Sequence, residues 1–377
     1  MKLYDKVFSS SDVNPGRQRE MDLAKVVFVF LMAAIHCTIE CVPEDRISRG
    51  LPFVFDTVIG GPLAAPILMF SMGACIVYAR KHEWEDLLKR GGELFGMGFL
   101  LNLCRYTIPY LFGYALTGNY EKYILPIAYK TLTNDILQFA GLALCVIGVF
   151  IRLRLPDFSI LLIGLICSVC GTLLNGMDLH SPAANIALGY LAGTEDAAGL
   201  VYSDFVLLNW LIVPICGYLF GKRLKRVKDK TRFYRMISPL CILVSVVYFC
   251  IGIKNRSGMF GDGQNSYYHI RTLDVIICIM TSIGLLGIYY EIGKHIPQKV
   301  MTQLHGISEN ITAIYCVHWV LVVWSINIVL YLLIGTQEIG MGMVLLLAFL
   351  ITVSAIAVVK VWRRKRKVRP AIGRSKG

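Results

Sequence analysis

Charge is scarce in this chain. Aspartate, glutamate, lysine and arginine make up 17% of its 377 residues, where a soluble domain carries about a quarter. That deficit excludes an ordinary cytosolic enzyme. Acidic residues are scarcer than basic ones, 25 against 38, giving a net charge of +13. The first 20 residues hold no apolar run, so nothing there reads as a secretory signal peptide, and the first hydrophobic stretch is expected to stay in place as an anchor. No long-period repeat and no low-complexity segment is visible, which excludes a solenoid. Cysteine is not scarce, but it avoids polar loops. Almost all 12 lie inside apolar runs, which fits neither a disulfide framework nor a zinc site. Even Cys167 and Cys170, spaced as CxxC, sit in LLIGLICSVCGTLL and read as packing residues.

What is abundant is hydrophobic surface, 56% of the residues with a mean hydropathy of +0.60. A bilayer core needs about 20 apolar residues per helix. Ten stretches supply that length: 21–39, 60–79, 89–113, 133–151, 157–175, 204–221, 236–253, 271–290, 308–331 and 338–360. The expected fold is an all-α integral membrane bundle of about ten transmembrane helices. Residues 1–20 form an N-terminal segment, 21–362 the transmembrane domain and 363–377 a basic tail. Alternating loops divide the lysines and arginines 29 to 7, which by the positive-inside rule places both termini of a multi-pass protein in the cytoplasm; the membrane expected is the cytoplasmic (inner) one. The basic surplus is then topological. The clusters GKRLKRVKDKTRFYR and VWRRKRKVRP are mostly bare charge, suited to anionic membrane lipids and not to nucleic acid. The loop 176–203 carries Asp178, Glu195 and Asp196 and the stretch SPAANIALGYLAG, which is too short to cross and suits an interfacial or re-entrant segment. Gly92 and Gly96 make a small-xxx-small pattern that fits either an internal helix contact or a homodimer. Asn255-Arg256-Ser257 is a formal glycosylation triplet, meaningful only in a eukaryotic host.

An ionisable group inside a span is costly and therefore a functional candidate. The first span, MDLAKVVFVFLMAAIHCTIEC, holds Lys25 near one face of the membrane and His36 eleven residues on. The two are about 16 Å apart along a helix axis and nearly on one face. The third span holds Asn102 and Arg105, the fourth opens with Thr133, Asn134, Asp135 and Gln138, the sixth with Ser203 and Asp204, and the eighth with Arg271 and Asp274. Glu309, Asn310 and a mid-span His318 beside a Trp belong to the ninth. With the termini inside, most of these lie at the depth of His36 and describe a polar pocket in the outer half. Each also has a plainer reading: Lys25 can snorkel, Asn134, Ser203 and Asp204 can cap helices, and His318 can be structural. A histidine takes a proton from an attacking hydroxyl or amine near neutral pH, Asp135 or Asp204 could orient it, and Lys25 with Arg90 suits an anionic donor entering at the inner face. That chemistry is group transfer across a membrane.

Six stretches, in this order, resemble the heparan-alpha-glucosaminide N-acetyltransferase-like proteins and, more distantly, membrane acyltransferase family 3. They are DLAKVVFVFLMAAIH, GPLAAPILMFSMGACIVYAR with its Phe70-x-x-Gly73, LLKRGGELFGMGFLLN, NDILQFAGLAL, SDFVLLNWLIVPICGYLFGK and NITAIYCVHW. Lys25 stands where the family has an arginine, which keeps the charge but loses the bidentate fork. The resemblance implies a roughly ten-span enzyme that takes acetyl, or a short acyl group, from cytoplasmic acetyl-CoA. The acceptor is a hydroxyl or amine of an extracytoplasmic glycan or its lipid-linked precursor, and no metal is needed. His36 is then the catalytic histidine, with Asp135 and Asp204 as its partners. Lys25, Arg90 and Ser71 are expected at the acyl-CoA, and Asn134, Arg105 and Asp274 at the acceptor. Direct transfer and an acetyl-histidine relay both remain open. Two other classes compete: a transporter or flippase, for which Pro66 and Pro214 are the nearest hint of broken helices, and a sensor without catalysis.

Overall fold

The apolar runs fold as helices because a backbone removed from water must satisfy its hydrogen bonds internally. The computed structural model describes residues 7–195, 203–261 and 265–372. Asp196 and the outermost parts of both expected terminal segments lie outside the described residues. Among the described residues there is no strand, only the isolated bridges Phe8–Val227 and Met177–Thr194. The principal helices are α1 Arg19–Cys41, α2 Gly50–Ile76, α3 Trp84–Asn102, α4 Ile108–Thr117, α5 Ile136–Arg152, α6 Asp157–Leu174, α7 Ile212–Leu224, α8 Lys230–Asn255, α9 Thr272–His295, α10 Gln298–Glu309, α11 Ile311–Val323 and α12 Met341–Ile372.

Eight helical segments among the described residues are long and apolar enough to cross a membrane. Two of the ten expected spans take another form. The third begins in the charged turns of α3 and passes through π-helical Leu103–Thr107 before continuing as α4. The sixth is divided into a short helix, Leu207–Trp210, and α7 of 13 residues. It begins three residues later than expected, which leaves Asp204 in the preceding loop. Further π-helical segments, Val54–Ala64 and Trp324–Ile334, lie in α2 and after α11. Such wide turns recur at functional sites because they re-aim side chains.

Glycines set the closest helix contacts. A Cβ added at Gly73 of α2 would lie 2.0 Å from the Pro214 carbonyl oxygen of α7, and one at Gly217 would lie 2.0 Å from that of Phe70. The Phe70-x-x-Gly73 element is thus one half of a backbone-to-backbone contact. By contrast, a Cβ added at Gly92 or Gly96 would meet nothing within 4 Å among the described residues, so neither glycine is required by a close helix contact there.

One end of the bundle gathers the basic segments. Asn14 Nδ2 donates to the Leu224 and Val227 carbonyls, Lys230 Nζ pairs with Glu20 at 2.5 Å, Arg19 donates to Gln298 at 2.6 Å, and Lys222 pairs with Asp157. The start of α1, the end of α7, the starts of α6 and α8 and the start of α10 therefore meet there. At the other end, the loop 176–195 folds on a short helix, Pro182–Leu188. Buried Asn185 organises this loop, donating to Asp178 and accepting from the Leu179 and Thr194 groups beside it.

Candidate active site

α1 carries chemistry at both ends. At the basic end Arg17 donates through Nε and Nη2 to both oxygens of buried Asp22, at 2.6 and 2.8 Å, and through Nη1 to Glu309 at 2.5 Å. The Asp22 carboxylate also accepts from Ser308 at 2.5 Å and lies 2.6 Å from His305 Nδ1. These bonds hold the Arg17 guanidinium above its ordinary pKa, the hydrogen bond to Asp22 being the largest favourable cause. Beside them opens a cleft of about 440 Å³ lined by Arg17, Arg19, Lys230 and Lys294 together with Glu20 and Tyr290. Its volume is in the range of a small-molecule site. Four basic side chains and one carboxylate line it, and three of the four are already in ion pairs, Arg17 with Asp22 and Glu309, Lys230 with Glu20, and Lys294 with Glu291.

One turn and more inward, Lys25 Nζ lies 3.0 Å from Cys75 Sγ of α2. Ser71 stands one turn from Cys75 on the same face of α2; it is fully buried and its Oγ has no hydrogen-bond partner among the described residues. Ser71 thus lies one turn along α2 from the point where Lys25 meets Cys75. Arg90 does not join them. It is exposed on α3, a helix whose main packing partner is α5.

His36 lies near the other end of α1, and its buried Nε2 makes no hydrogen bond among the described residues. Its ring packs on Trp319 of α11, with centroids 3.9 Å apart at 34°. It also stacks near-parallel to His318, 5.7 Å away at 21°. Tyr315 meets His318 edge-on at 5.3 Å. Arg105, in the π-helical turn after α3, is 1% exposed and brings its Cζ to 4.7 Å from the Trp319 ring and 4.5 Å from that of Tyr106. Its Nη2 donates to Asp135 Oδ2 at 2.5 Å.

The two carboxylates expected to orient His36 are placed otherwise. Asp135 caps α5, its Oδ1 accepting the Ile136 N–H at 2.6 Å, and spends its other oxygen on Arg105. Asp204 lies in the loop before α7; its Oδ1 is buried without a partner among the described residues, and it shares the field of Asp135, Arg105 and Lys130. Neither makes a hydrogen bond to His36. Asn134 ties the two together, donating from Nδ2 to the Asp204 and Phe205 carbonyls at 2.9 and 3.3 Å. Asp274 stands apart. It accepts from Tyr248 at 2.9 Å and packs against the Gly258 turn, away from His36. Thus His36, Arg105, Asp135, Asn134 and Asp204 form one neighbourhood, Lys25 and Ser71 a second, while Arg90 and Asp274 belong to neither.

In the sequence the cleft residues Arg17, Arg19, Lys230 and Lys294 each read as one more loop charge. Trp319 and Tyr106 likewise suggested no role. The only signal for Trp319 was its place next to a mid-span histidine.

A family model described as heparan-alpha-glucosaminide N-acetyltransferase, catalytic, matches residues 17–251. That stretch includes Lys25, His36, Ser71, Arg90, Arg105, Asn134, Asp135 and Asp204, and excludes Asp274, His318 and Trp319. No curated protein and no solved structure matches the chain. With more than half of its length matched, a helical bundle fit for a membrane, and a histidine with a free nitrogen buried among aromatic rings, the chain belongs to the heparan-alpha-glucosaminide N-acetyltransferase catalytic-domain family.

Proposed function

We propose that the protein transfers an acetyl group, or a short acyl group, from acetyl-CoA at its basic end to a hydroxyl or amine presented at its other end. The acceptor in this reading is an extracytoplasmic glycan or its lipid-linked precursor, and the basic end faces the cytoplasm, as the distribution of lysine and arginine requires. The observation that carries the reading is the arrangement along α1: a cationic cleft at its start and, at its far end, a buried imidazole with an unpaired nitrogen. The cleft suits the phosphorylated nucleotide of coenzyme A. Arg17, Arg19, Lys230 and Lys294 line it and bring N–H donors for phosphate oxygens. Lys25 and Ser71 lie along the line from that cleft toward His36.

At the far end His36 Nε2 removes the acceptor proton as the acceptor oxygen or nitrogen bonds to the thioester carbonyl carbon. The carbon–sulfur bond then breaks and the thiolate leaves with the electron pair. Lys130 adds a positive charge to this end of the site, where Arg105 is already paired with Asp135. The relay in which His36 itself first carries the acetyl group uses the same nitrogen.

The test uses inverted membrane vesicles with radiolabelled acetyl-CoA outside. Wild type is expected to label enclosed acceptor, and His36→Ala to remain folded in the membrane with transfer reduced at least a hundredfold. Equal labelling by both proteins would remove His36 from the reaction. No transfer by either, with no acetyl-CoA bound to purified protein, would favour a transporter or a non-catalytic sensor.

A further inference from the structure

His36 lacks the carboxylate that commonly orients a catalytic imidazole. What holds its ring is an indole. Trp319 lies 3.9 Å from it, centroid to centroid, and is itself gripped by Arg105, whose Cζ is 4.7 Å from the indole. Arg105 in turn is fixed by Asp135, which is anchored as the cap of α5. His318, 2% exposed, closes the side of the stack at 5.7 Å from His36 and 6.0 Å from Trp319.

We propose that Trp319 is the positioning residue for His36, and that Asp135 acts on the histidine only through the sequence Asp135, Arg105, Trp319. The inference rests on the reading of His36 as the transfer histidine, and it deepens that reading. An aromatic ring packed on an imidazole fixes the ring plane without consuming either nitrogen, which leaves Nε2 free for the acceptor proton. The indole face also attracts the imidazolium formed when that proton arrives. Arg105 brings a positive charge to the same indole, which would oppose that imidazolium. Asp135, bonded to Arg105 at 2.5 Å, neutralises the charge. A carboxylate therefore contributes to proton transfer here without touching the histidine. The charged or titratable groups of this neighbourhood are His318 and Tyr315 on α11, Arg105 and Tyr106 after α3, Lys130 before α5, Asp135 at the start of α5, Asp204 in the loop before α7, and Glu40 one turn on in α1. None of the other contacts supplies a hydrogen-bonded partner for Nε2.

Two readouts test this. The first is acetyl transfer in inverted vesicles, with kcat and the KM for acetyl-CoA determined separately. The second does not depend on turnover: the rate at which diethyl pyrocarbonate modifies His36 in the purified full-length protein, followed by peptide mass spectrometry across pH. Trp319→Ala is expected to lower kcat at least tenfold with KM for the donor within twofold, and to displace the pH midpoint of His36 modification. Trp319→Phe, which keeps an aromatic face, is expected to restore most of both. Asp135→Asn keeps an acceptable helix cap but removes the neutralising charge. It is expected to lower kcat severalfold and to displace the same midpoint, although Asp135 makes no contact with His36. Should Trp319→Ala fail to fold, Trp319→Phe and Asp135→Asn decide the matter: kcat and His36 midpoint unchanged in both would overturn the proposal. Wild-type kcat in a folded Trp319→Ala would overturn it alone, leaving the role of His36 intact. Midpoints displaced in the variants, with no transfer by the wild type, would uphold the positioning and sink the enzyme reading.

Discussion

A buried histidine outside the spans shows how closely a structural device can imitate a catalytic one. His269 Nε2 lies 3.1 Å from Ser203 Oγ, and its Nδ1 lies 3.4 Å from Glu195. Serine, histidine and carboxylate stand in triad order. The same Nε2, however, is 2.9 Å from the Ser203 backbone carbonyl, and a nitrogen that donates its proton to a carbonyl has no lone pair with which to activate a hydroxyl. His269 is a fastener: its own carbonyl accepts from Asn175 at 2.6 Å, and its neighbours Tyr268 and Ile270 accept from Trp210 and Asn209. Burial, the largest cause, pushes its pKa below the ordinary 6.5, with the Ser203 carbonyl and Glu195 opposing. The unfolded junction therefore binds a proton more readily than the folded one. Its stability is intact above about pH 6.5 and declines as the pH falls below that value. Protection factors of amides in 175–195 and 267–271, taken relative to the intrinsic exchange rate at each pH, are expected to fall from pH 7.5 to 5.5. Glu195→Gln, which removes a group favouring the charged imidazole, should steepen the change; a flat response in both proteins would contradict this.

At the scale of elements, α2 and α7 are held by carbonyl groups lying where a methyl would have to go. Gly73→Val is expected to force the pair apart at a cost of about 1–3 kcal/mol or more, seen as a lower thermal midpoint in detergent, whereas Gly92→Val, with open space around it, should leave the midpoint unchanged. An equal effect of both would refute the packing account. This contrast also marks what the sequence could disclose. Helix positions were legible because a run of about 20 apolar residues has few alternatives in a bilayer. Which glycine faces a neighbour was not legible, since Gly91, Gly92, Gly96 and Gly98 differ only in azimuth, and azimuth depends on packing. In the same way His36 stood out as a costly group in a span, but its partner did not. Asp135 was visible as a carboxylate at the right depth, while its engagement by Arg105 depended on a π-helical turn that no residue pattern announces. Trp319 was hidden among the apolar residues to which an indole ordinarily belongs.

For the whole molecule, the cationic cleft and His36 lie at opposite ends of one helix, so binding and chemistry should be separable. Arg17→Ala with Arg19→Ala is expected to raise the KM for acetyl-CoA at least tenfold with kcat within threefold, because neither side chain approaches the imidazole. A fall in kcat at constant KM would place the donor elsewhere. His36→Ala should show the reverse, binding donor as tightly as wild type in equilibrium dialysis while transferring none.

From Arg19 to His36 α1 advances by 17 residue steps, roughly 26 Å at 1.5 Å per residue, and on the proposed reading that length makes the helix a gauge. On the proposed reading, a thioester gripped at one mark and consumed at the other has to match that length, and the donor is then measured as well as recognised. Selection then falls on the tether and not on the group transferred, and a donor trimmed of its nucleotide would be chemically competent yet off the scale. The gauge also has a phase. Removing one residue between the marks would shorten it by only 1.5 Å but swing one end by about 100°, a larger error than losing a full turn.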